Sequence, residues 1–192
     1  MKKNLITAIL MTVATTLLLG IVYPLVVTAA AQLLFHDKAN GQLITRDGHL
    51  IGSRILAQPF TGAEYFHPRA SAAGTNGYDA ANSGGTNLGP TNQKLMDRVQ
   101  QDVTAAQKEN PGHPIPADYI TTSASGLDPD ISPANALFQL PRVAAARGIP
   151  VGVLDALVQQ HTQGRQFGLL GEPRINVLEL NLDLDARYPK GR

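Results

Sequence analysis

The sequence predicts an α+β fold carried behind one N-terminal transmembrane helix. Three observations predict it. Residues 5–35 hold no charged side chain, and an apolar run longer than about 18 residues is a membrane-helix signal. The second half of the chain repeats apolar residues every three to four positions, the period of an amphipathic helix. Between and after these helices stand short runs with the two-residue alternation of strands. The expected organisation is a cytoplasmic N-terminus over residues 1–4, the membrane helix with its extension over 5–35, and one periplasmic domain over 36–192, with a mostly antiparallel sheet and several helices.

Each element has its own reason. Lys2 and Lys3 precede the apolar run, and the positive-inside rule holds such residues in the cytoplasm, so the chain after Phe35 is expected outside. A cleaved signal peptide is the alternative, with Ala29-Ala30-Ala31 as its cleavage pattern. Its apolar region would be about 7–15 residues, far shorter than this run. Ala8, Thr12, Thr16 and Gly20 recur every four residues, and such a small-residue row lets a second helix approach closely. Pro24 and Thr28 continue the row, and Pro24 is expected to kink the helix.

Residues 40–60 read as a hairpin, because Leu43-Ile44-Thr45 and Leu50-Ile51 flank Arg46-Asp47-Gly48 and Asp-Gly is a tight-turn signal. A further short strand is expected at Ile55-Leu56. Residues 61–92 are rich in Gly, Asn, Ser, Thr and Pro. So long a loop in a compact domain is functional or disordered, and Tyr65, Phe66 and Tyr78 speak for order. Leu95, Val99, Val103 and Ala106 then mark a helix that Pro111-Gly112 stops. A strand is expected over 120–127. Ser132-Pro133 opens a helix with Ser as N-cap, which Pro141 ends or kinks. Its second piece, 142–147, closes at Gly148. Pro150 opens a helix with Val153, Leu154, Leu157 and Val158 as its apolar positions. Residues 178–185, LELNLDLD, alternate strictly and read as the clearest strand of the chain. The tail from 186 to 192 is expected to fray.

Composition excludes several functions. The chain has 192 residues and no cysteine, which removes disulfides, thiolate metal sites and a cysteine nucleophile. Taking Lys2 and Lys3 from the 16 basic residues leaves 14 against 15 acidic ones. A domain so balanced has no electrostatic footprint for nucleic acid. Five tyrosines, five phenylalanines and no tryptophan leave the core to Leu, Ile, Val and Ala.

The motifs that carry chemistry are sparse. Ser83-Gly84-Gly85-Thr86-Asn87-Leu88-Gly89-Pro90 precedes a helix and can offer backbone N–H groups to an anion. A phosphate-binding loop of the Walker type needs Gly-Lys-Ser/Thr, whereas here Gly89 meets Pro90 and the first lysine is Lys94. The plainer reading is a turn whose glycines take positive φ and after which Pro90 or Thr91 starts the helix. A serine hydrolase would draw on Ser123, Ser125, Asp128 and His161, but the Gly-x-Ser-x-Gly elbow is absent. His36, His49, His67, His113 and His161 lack metal-ligand spacing, so no metal site is expected. Arg142, Arg147, Arg165 and Arg174, with Glu172, form a set that can meet an acidic partner surface or make ordinary surface ion pairs.

Several blocks in order resemble a known family. They include Gln58-Pro59-Phe60, Tyr65-Phe66-His67-Pro68-Arg69-Ala70-Ser71-Ala72, Tyr78-Asp79, and Ser83-Gly84-Gly85-Thr86-Asn87-Leu88-Gly89-Pro90-Thr91-Asn92. They continue with Thr122-Ser123-Ala124-Ser125-Gly126-Leu127-Asp128-Pro129, Gln139, Pro141-Arg142-Val143-Ala144, Arg147, Gly171-Glu172-Pro173-Arg174 and Asn176-Val177-Leu178. Together they resemble the C subunit of the bacterial Kdp potassium-transporting ATPase, with Thr86 where the family usually has Ser and a variable stretch over 73–77. The resemblance implies a non-catalytic subunit of an ATP-driven potassium importer in the inner membrane. Its implied partners are a potassium-translocating (A) subunit, a P-type ATP-hydrolysing (B) subunit and a small membrane (F) peptide.

The family is described as a chaperone-like subunit that raises ATP affinity. Ser83-Gly84-Gly85 looks loosely like the signature of ABC transporters. That reading makes Ser83, Gly84, Gly85, Thr86, Asn87, Gly89 and Asn92 a nucleotide or partner loop. The expected partner contacts are Tyr65, Phe66, Arg69, Tyr78, Ser123, Ser125, Asp128, Arg142, Arg147, Glu172 and Arg174, and Ala8, Thr12, Thr16 and Gly20 form the membrane packing face. If Lys2 and Lys3 lie inside, however, Ser83 lies outside, away from ATP. No intrinsic cofactor is then expected, and ATP enters only through the hydrolysing subunit. The expected role is assembly, with the exported domain over the outer face of the translocating subunit. An anchored exported hydrolase and a stand-alone periplasmic binding domain are the rival classes, and neither accounts for the four-residue row.

Overall fold

A computed structural model describes residues 1–189, and the chain divides into two units, residues 1–43 and residues 44–192. The first unit is helical. α1 (Lys2–Leu17) passes through a π-helical turn, Leu18–Val22, into α2 (Tyr23–Leu34). The run of 33 residues is long and apolar enough to cross a membrane. At 1.5 Å per residue it spans about 50 Å, more than the roughly 30 Å hydrocarbon layer. The helix starts three residues earlier than the charge-free run and ends at Phe35, which leaves the helical region at φ −139°. The π turn has a plain cause. Pro24 has no N–H to give the Gly20 carbonyl, and widening the preceding turn absorbs that lost bond. After Phe35 the short α3 (His36–Ala39) folds back, fastened by reciprocal amide bonds of 3.1 Å between Gln32 and Asn40.

The second unit opens with the expected hairpin, β1 (Leu43–Arg46) and β2 (His49–Ser53). Asp47 and Gly48 both take positive φ, 52° and 77°, as the mirror-image turn between twisted strands requires. Ile55-Leu56 is not a strand. Ser53 Oγ accepts from the Ile55 N–H, and the Leu56 N–H bonds the Ser53 carbonyl, so the chain turns there. Residues 54–92 contain neither helix nor strand, yet Phe66 and Ala73 are fully buried, in keeping with an ordered segment.

α4 (Gln93–Glu109) forms where the apolar spacing places it. Ala106 packs with Ile120 and Phe138 in a small core flanked by Val99, Val103, Ile115 and Tyr119. The strand expected over 120–127 is replaced by the single-turn α5 (Ala117–Ile120) and irregular chain. Gly126 at φ 68° breaks any extended run there.

β3 (Asp130–Ile131) precedes α6 (Pro133–Arg147), whose N-cap Ser132 accepts the Asn135 N–H at 3.1 Å. Pro141 does not end the helix. It is exposed, so water can take the freed Leu137 carbonyl. On the inner face Ala136, Leu140, Val143 and Ala144 are buried, at about 1.5–3 kcal/mol for each large side chain. That gain outweighs the roughly 3 kcal/mol cost of an interior proline. Gly148 closes α6 in the left-handed region at φ 66°. α7 (Val151–His161) buries Leu154, Leu157 and Val158, while Val153 faces outward.

The largest departure from expectation lies near the end. Residues 178–185 belong to α8 (Val177–Arg187), which follows β4 (Ile175–Asn176) directly. The leucine alternation also contains a helical stripe: Val177, Leu180, Asn181 and Leu184 are spaced by three and four and are all buried. Asn176 accepts the Glu179 N–H at 3.1 Å as N-cap, with Glu179 in the first turn and Arg187 in the last. Leu and Glu favour helix, and caps with matched terminal charge settle the ambiguous period. α8 carries the chain through Arg187, so fraying does not begin at 186; residues 190–192 lie outside the described residues.

The α+β class therefore holds, with a smaller sheet than expected. β3 pairs antiparallel with β4, Asp130 opposite Asn176 and Ile131 opposite Ile175. The main core lies between α6, α7, α8 and this ladder, and Phe66 enters it from the long irregular segment.

Candidate functional site

The glycine-rich segment before α4 is built for close approach. The Gly84 N–H donates to the Ser125 carbonyl at 2.8 Å, and Ser83 Oγ donates to the same oxygen at 3.0 Å. A Cβ on Gly85 would stand 2.9 Å from the Ala124 carbonyl oxygen. Gly126 lies opposite, where a Cβ would meet the Ala73 nitrogen and the Gly84 carbonyl at 2.7 Å. Gly84, Gly85 and Gly89 do not take positive φ; in this segment Asn87 does, at 52°. At Gly85 glycine is needed for space rather than for handedness, whereas a Cβ would fit at Gly84 and Gly89. Helix α4 begins neither at Pro90 nor at Thr91. Asn92 caps it, its side chain accepting the Lys94 N–H at 2.9 Å, and the Asn92 N–H turns back to the Gly89 carbonyl at 3.0 Å. Thr86 is half-buried and Asn87 exposed.

Arg69 and Asp128 stand beside this segment, paired at 3.0 Å. Arg69 also donates to Thr121 Oγ1 and the Thr122 carbonyl, each at 3.2 Å, and its Nε is buried without a partner among the described residues. Both residues line two open clefts. One, of about 690 Å3, also takes in Ser83, Ser123 and Ser125. The other, of about 430 Å3, takes in Asp118, Asp130, Glu172 and Arg174. Asp118 accepts from the Ser132 N–H and hydroxyl and from Asn135. Asp130 meets Arg174 at 3.0 Å; burial pushes its carboxyl above the usual range, against the opposing pull of Asn176 and Arg174. Tyr78 donates to the Arg69 carbonyl at 3.0 Å, and burial raises its phenol.

These clefts hold no hydrolytic constellation. Ser123 is buried, Ser125 Oγ accepts the Leu127 N–H at 3.1 Å, and neither hydroxyl bonds a histidine among the described residues. His161 instead pairs with Asp183 at 2.8 Å, tying α7 to α8. Among the described residues, no three of His, Asp and Glu gather as metal ligands would.

The second group of expected contact residues forms a clasp around residues 62–68. Arg142 pairs with Glu109 at 2.9 Å, donates to the Ala63 and Tyr65 carbonyls at 2.7 and 2.9 Å, and reaches Gln139. Arg147, with a side chain only 2% exposed, meets Asp185 at 2.7 Å and the Glu64 and Tyr188 carbonyls at 2.7 and 3.0 Å. Its guanidinium lies 5.0 Å from the Tyr65 ring centre, a cation–π distance, and the Tyr65 hydroxyl reaches Asp185 at 3.1 Å. Phe66 is wholly buried beneath. These arginines are interior pins rather than ordinary surface pairs. Arg165, paired with Glu172 at 2.7 Å, and Arg174, paired with Asp130 at 3.0 Å, stand about half exposed.

Two amides complete the clasp, Gln139, which the sequence showed only as part of the family pattern, and Asn181, to which it gave no role. Asn181 accepts the Phe66 N–H at 2.9 Å and donates to the Phe66 carbonyl at 2.8 Å. Gln139 does the same for His67, at 2.7 and 3.1 Å. Each side chain replaces a missing strand neighbour, which a buried backbone requires. An amide on the apolar face of a helix was the available signal. The His67 imidazole donates from Nε2 to the Gly62 carbonyl at 2.9 Å. Burial first, and then the nearby Arg142 charge, hold its pKa below the usual value.

In the first unit Ala8, Thr12, Thr16 and Gly20 are all exposed. Thr12 folds its hydroxyl onto the Ala8 carbonyl at 2.9 Å, which keeps the row smooth. The π turn interrupts the four-residue spacing between Gly20 and Pro24.

Comparison with known proteins adds a family to this geometry. The family model for the "K+-transporting ATPase, c chain" matches residues 5–186. A potassium-transporting ATPase KdpC subunit of Koribacter versatilis is 69% identical over 189 residues, covering 98% of this chain and 97% of that protein. Proteins of the same description from Rhodospirillum rubrum and Acidobacterium capsulatum are 55% and 52% identical. They cover 98% and 97% of this chain, and 98% and 100% of their own lengths.

Proposed function

Because the chain belongs to the KdpC family of potassium-transporting ATPase subunits, we propose that it is a non-catalytic assembly subunit of that transporter. It sits in the bacterial inner membrane with its N-terminus inside and its main domain in the periplasm. There it joins the potassium-translocating, ATP-hydrolysing and small membrane subunits. The observation that carries this reading is the helix Lys2–Leu34, of which no residue in its most apolar window is buried within the chain. Its row from Ala8 to Gly20 is kept flat by a hydroxyl turned inward, a surface suited to close helix packing.

The alternative, a catalytic chaperone that holds nucleotide through Ser83-Gly84-Gly85, has less support. The Gly84 N–H and the Ser83 hydroxyl already bond the Ser125 carbonyl, and Gly85 lies against Ala124. Any effect on ATP use then travels through the membrane helices or the translocating subunit.

Gly20→Leu tests the packing face. A Cβ there meets only Thr16 Cγ2, at 4.0 Å, so the helix itself tolerates the change. Co-purification of the partner subunits from membranes should fall at least about tenfold, the loss of roughly 1.4 kcal/mol of packing. Unchanged recovery would refute the row as a packing face. A reporter active only in the cytoplasm, fused after residue 192, should be silent, and activity would refute the orientation.

A further inference from the structure

Between α7 and β4 the chain makes a second hairpin, whose base holds Glu172 and Arg174 of the expected contacts but whose tip, residues 166–170, neither the sequence motifs nor the clasp uses. Gln163 and Arg174 exchange backbone bonds of 2.8 and 3.0 Å, and Gln166 and Leu170 exchange bonds of 2.8 and 2.9 Å. Arg165 clamps both Glu172 oxygens across the arms, at 2.8 and 2.7 Å. At the tip Phe167, Leu169 and Leu170 are 85, 79 and 60% exposed. An aromatic and two leucines held outward on a bonded arm are unlike the scattered apolar residues of an ordinary surface.

The backbone adds a second observation. Phe167 takes φ 55° and Gly168 φ 74°, and the Leu169 N–H closes the turn on the Gln166 carbonyl at 3.2 Å. Left-handed φ favours Asn, Asp or Gly, and a bulky aromatic there is locally unfavourable. Phe167 is thus costly to the fold twice, by exposure and by backbone. Such costs gather where a residue serves something outside its own fold.

We propose that this tip is a docking knob that seats in an apolar socket on another protein subunit of the same transporter. The proposal rests on the subunit reading above. Charge decides between a protein socket and a lipid surface. Arg165 is neutralised by Glu172 and Arg174, at the base of the arm, by Asp130 at 3.0 Å, while Gln163 and Gln166 are uncharged. The tip therefore lacks the basic residues that strengthen attachment of a small apolar insert to anionic lipid. An aromatic anchor in a desolvated pocket is the usual centre of a protein interface.

The test uses the full chain co-expressed with its partner subunits. Phe167→Asn puts the preferred residue into the turn, so the variant should melt at the same temperature or higher. The partner retained through a fixed series of detergent washes should nevertheless fall at least about tenfold, with Phe167→Leu recovering most of it. A photocrosslinking phenylalanine analogue at position 167 should capture a partner subunit. Equal retention by Phe167→Asn while the unaltered chain co-purifies its partners overturns the knob and leaves the subunit reading standing. Failure of the unaltered chain to retain any partner overturns both. Capture of lipid or of a second copy of this chain, or a fall in melting temperature with Phe167→Asn, also overturns the knob.

Discussion

Replacing Arg147 with alanine should be among the most destabilising single changes in the domain. The side chain is almost wholly buried and makes three hydrogen bonds of 2.7–3.0 Å, one of them to the Asp185 carboxylate, besides stacking over Tyr65. Removing one partner of a buried pair costs about 3–5 kcal/mol. Asp185 is 32% exposed and can rehydrate, which favours the low end, near about 3 kcal/mol. A domain of this size loses about 2–4 °C per kcal/mol, so the melting temperature should drop about 6–12 °C. Arg147→Lys should fall between, because it keeps the charge but loses the fork that reaches three acceptors. Thermal unfolding of the full chain in detergent, followed by far-ultraviolet circular dichroism, reads this directly. A drop under 2 °C for the alanine variant would refute the view that the arginine pins residues 64–65 to α8.

Two further perturbations test the rest of the domain. Gly85→Ala should destabilise by about 1–2 kcal/mol, the lower range for overpacking, read as a lowered urea midpoint at constant slope; an unchanged midpoint would show that the Ala124 backbone yields freely. For His67 the folded pKa lies below the unfolded value of 6.5. Its contribution is therefore fully present above about pH 6.5 and is lost as the pH falls towards the folded value, where the unfolded state binds the proton first. His67→Gln should flatten the stability profile over that acid window, and a profile of the same slope would assign the acid sensitivity elsewhere.

What the sequence could and could not reveal follows from the range of each signal. The membrane helix, the Asp47-Gly48 hairpin, the Ser132 cap and the Gly148 stop are local, and each appeared where its residues placed it. Residues 178–185 failed because a two-residue alternation of leucines also satisfies a helical stripe; the Asn176 cap was the clue that separates them. The expected break at Pro141 failed because its cost depends on whether it faces solvent, which no local rule states. At the site, Arg142 and Arg147 were visible as charges, but their targets are backbone carbonyls far along the chain. Gln139 and Asn181 were hidden for the same reason, as amides whose partners lie at Phe66 and His67.

The clasp also fixes an order of events. Phe66 is held by Asn181 across 115 residues, and Tyr65 by Asp185 across 120. Loops of that length close slowly, and contacts so distant in sequence set the pace of folding. As the chain emerges from its N-terminus, Gln139, Arg142 and Arg147 of α6 can take residues 63–67 first, but the Phe66 backbone has no amide to bind until α8 arrives. The domain is therefore sealed by α8, and a chain cut short before Asn181 leaves the Phe66 backbone without its amide however well the earlier helices have formed.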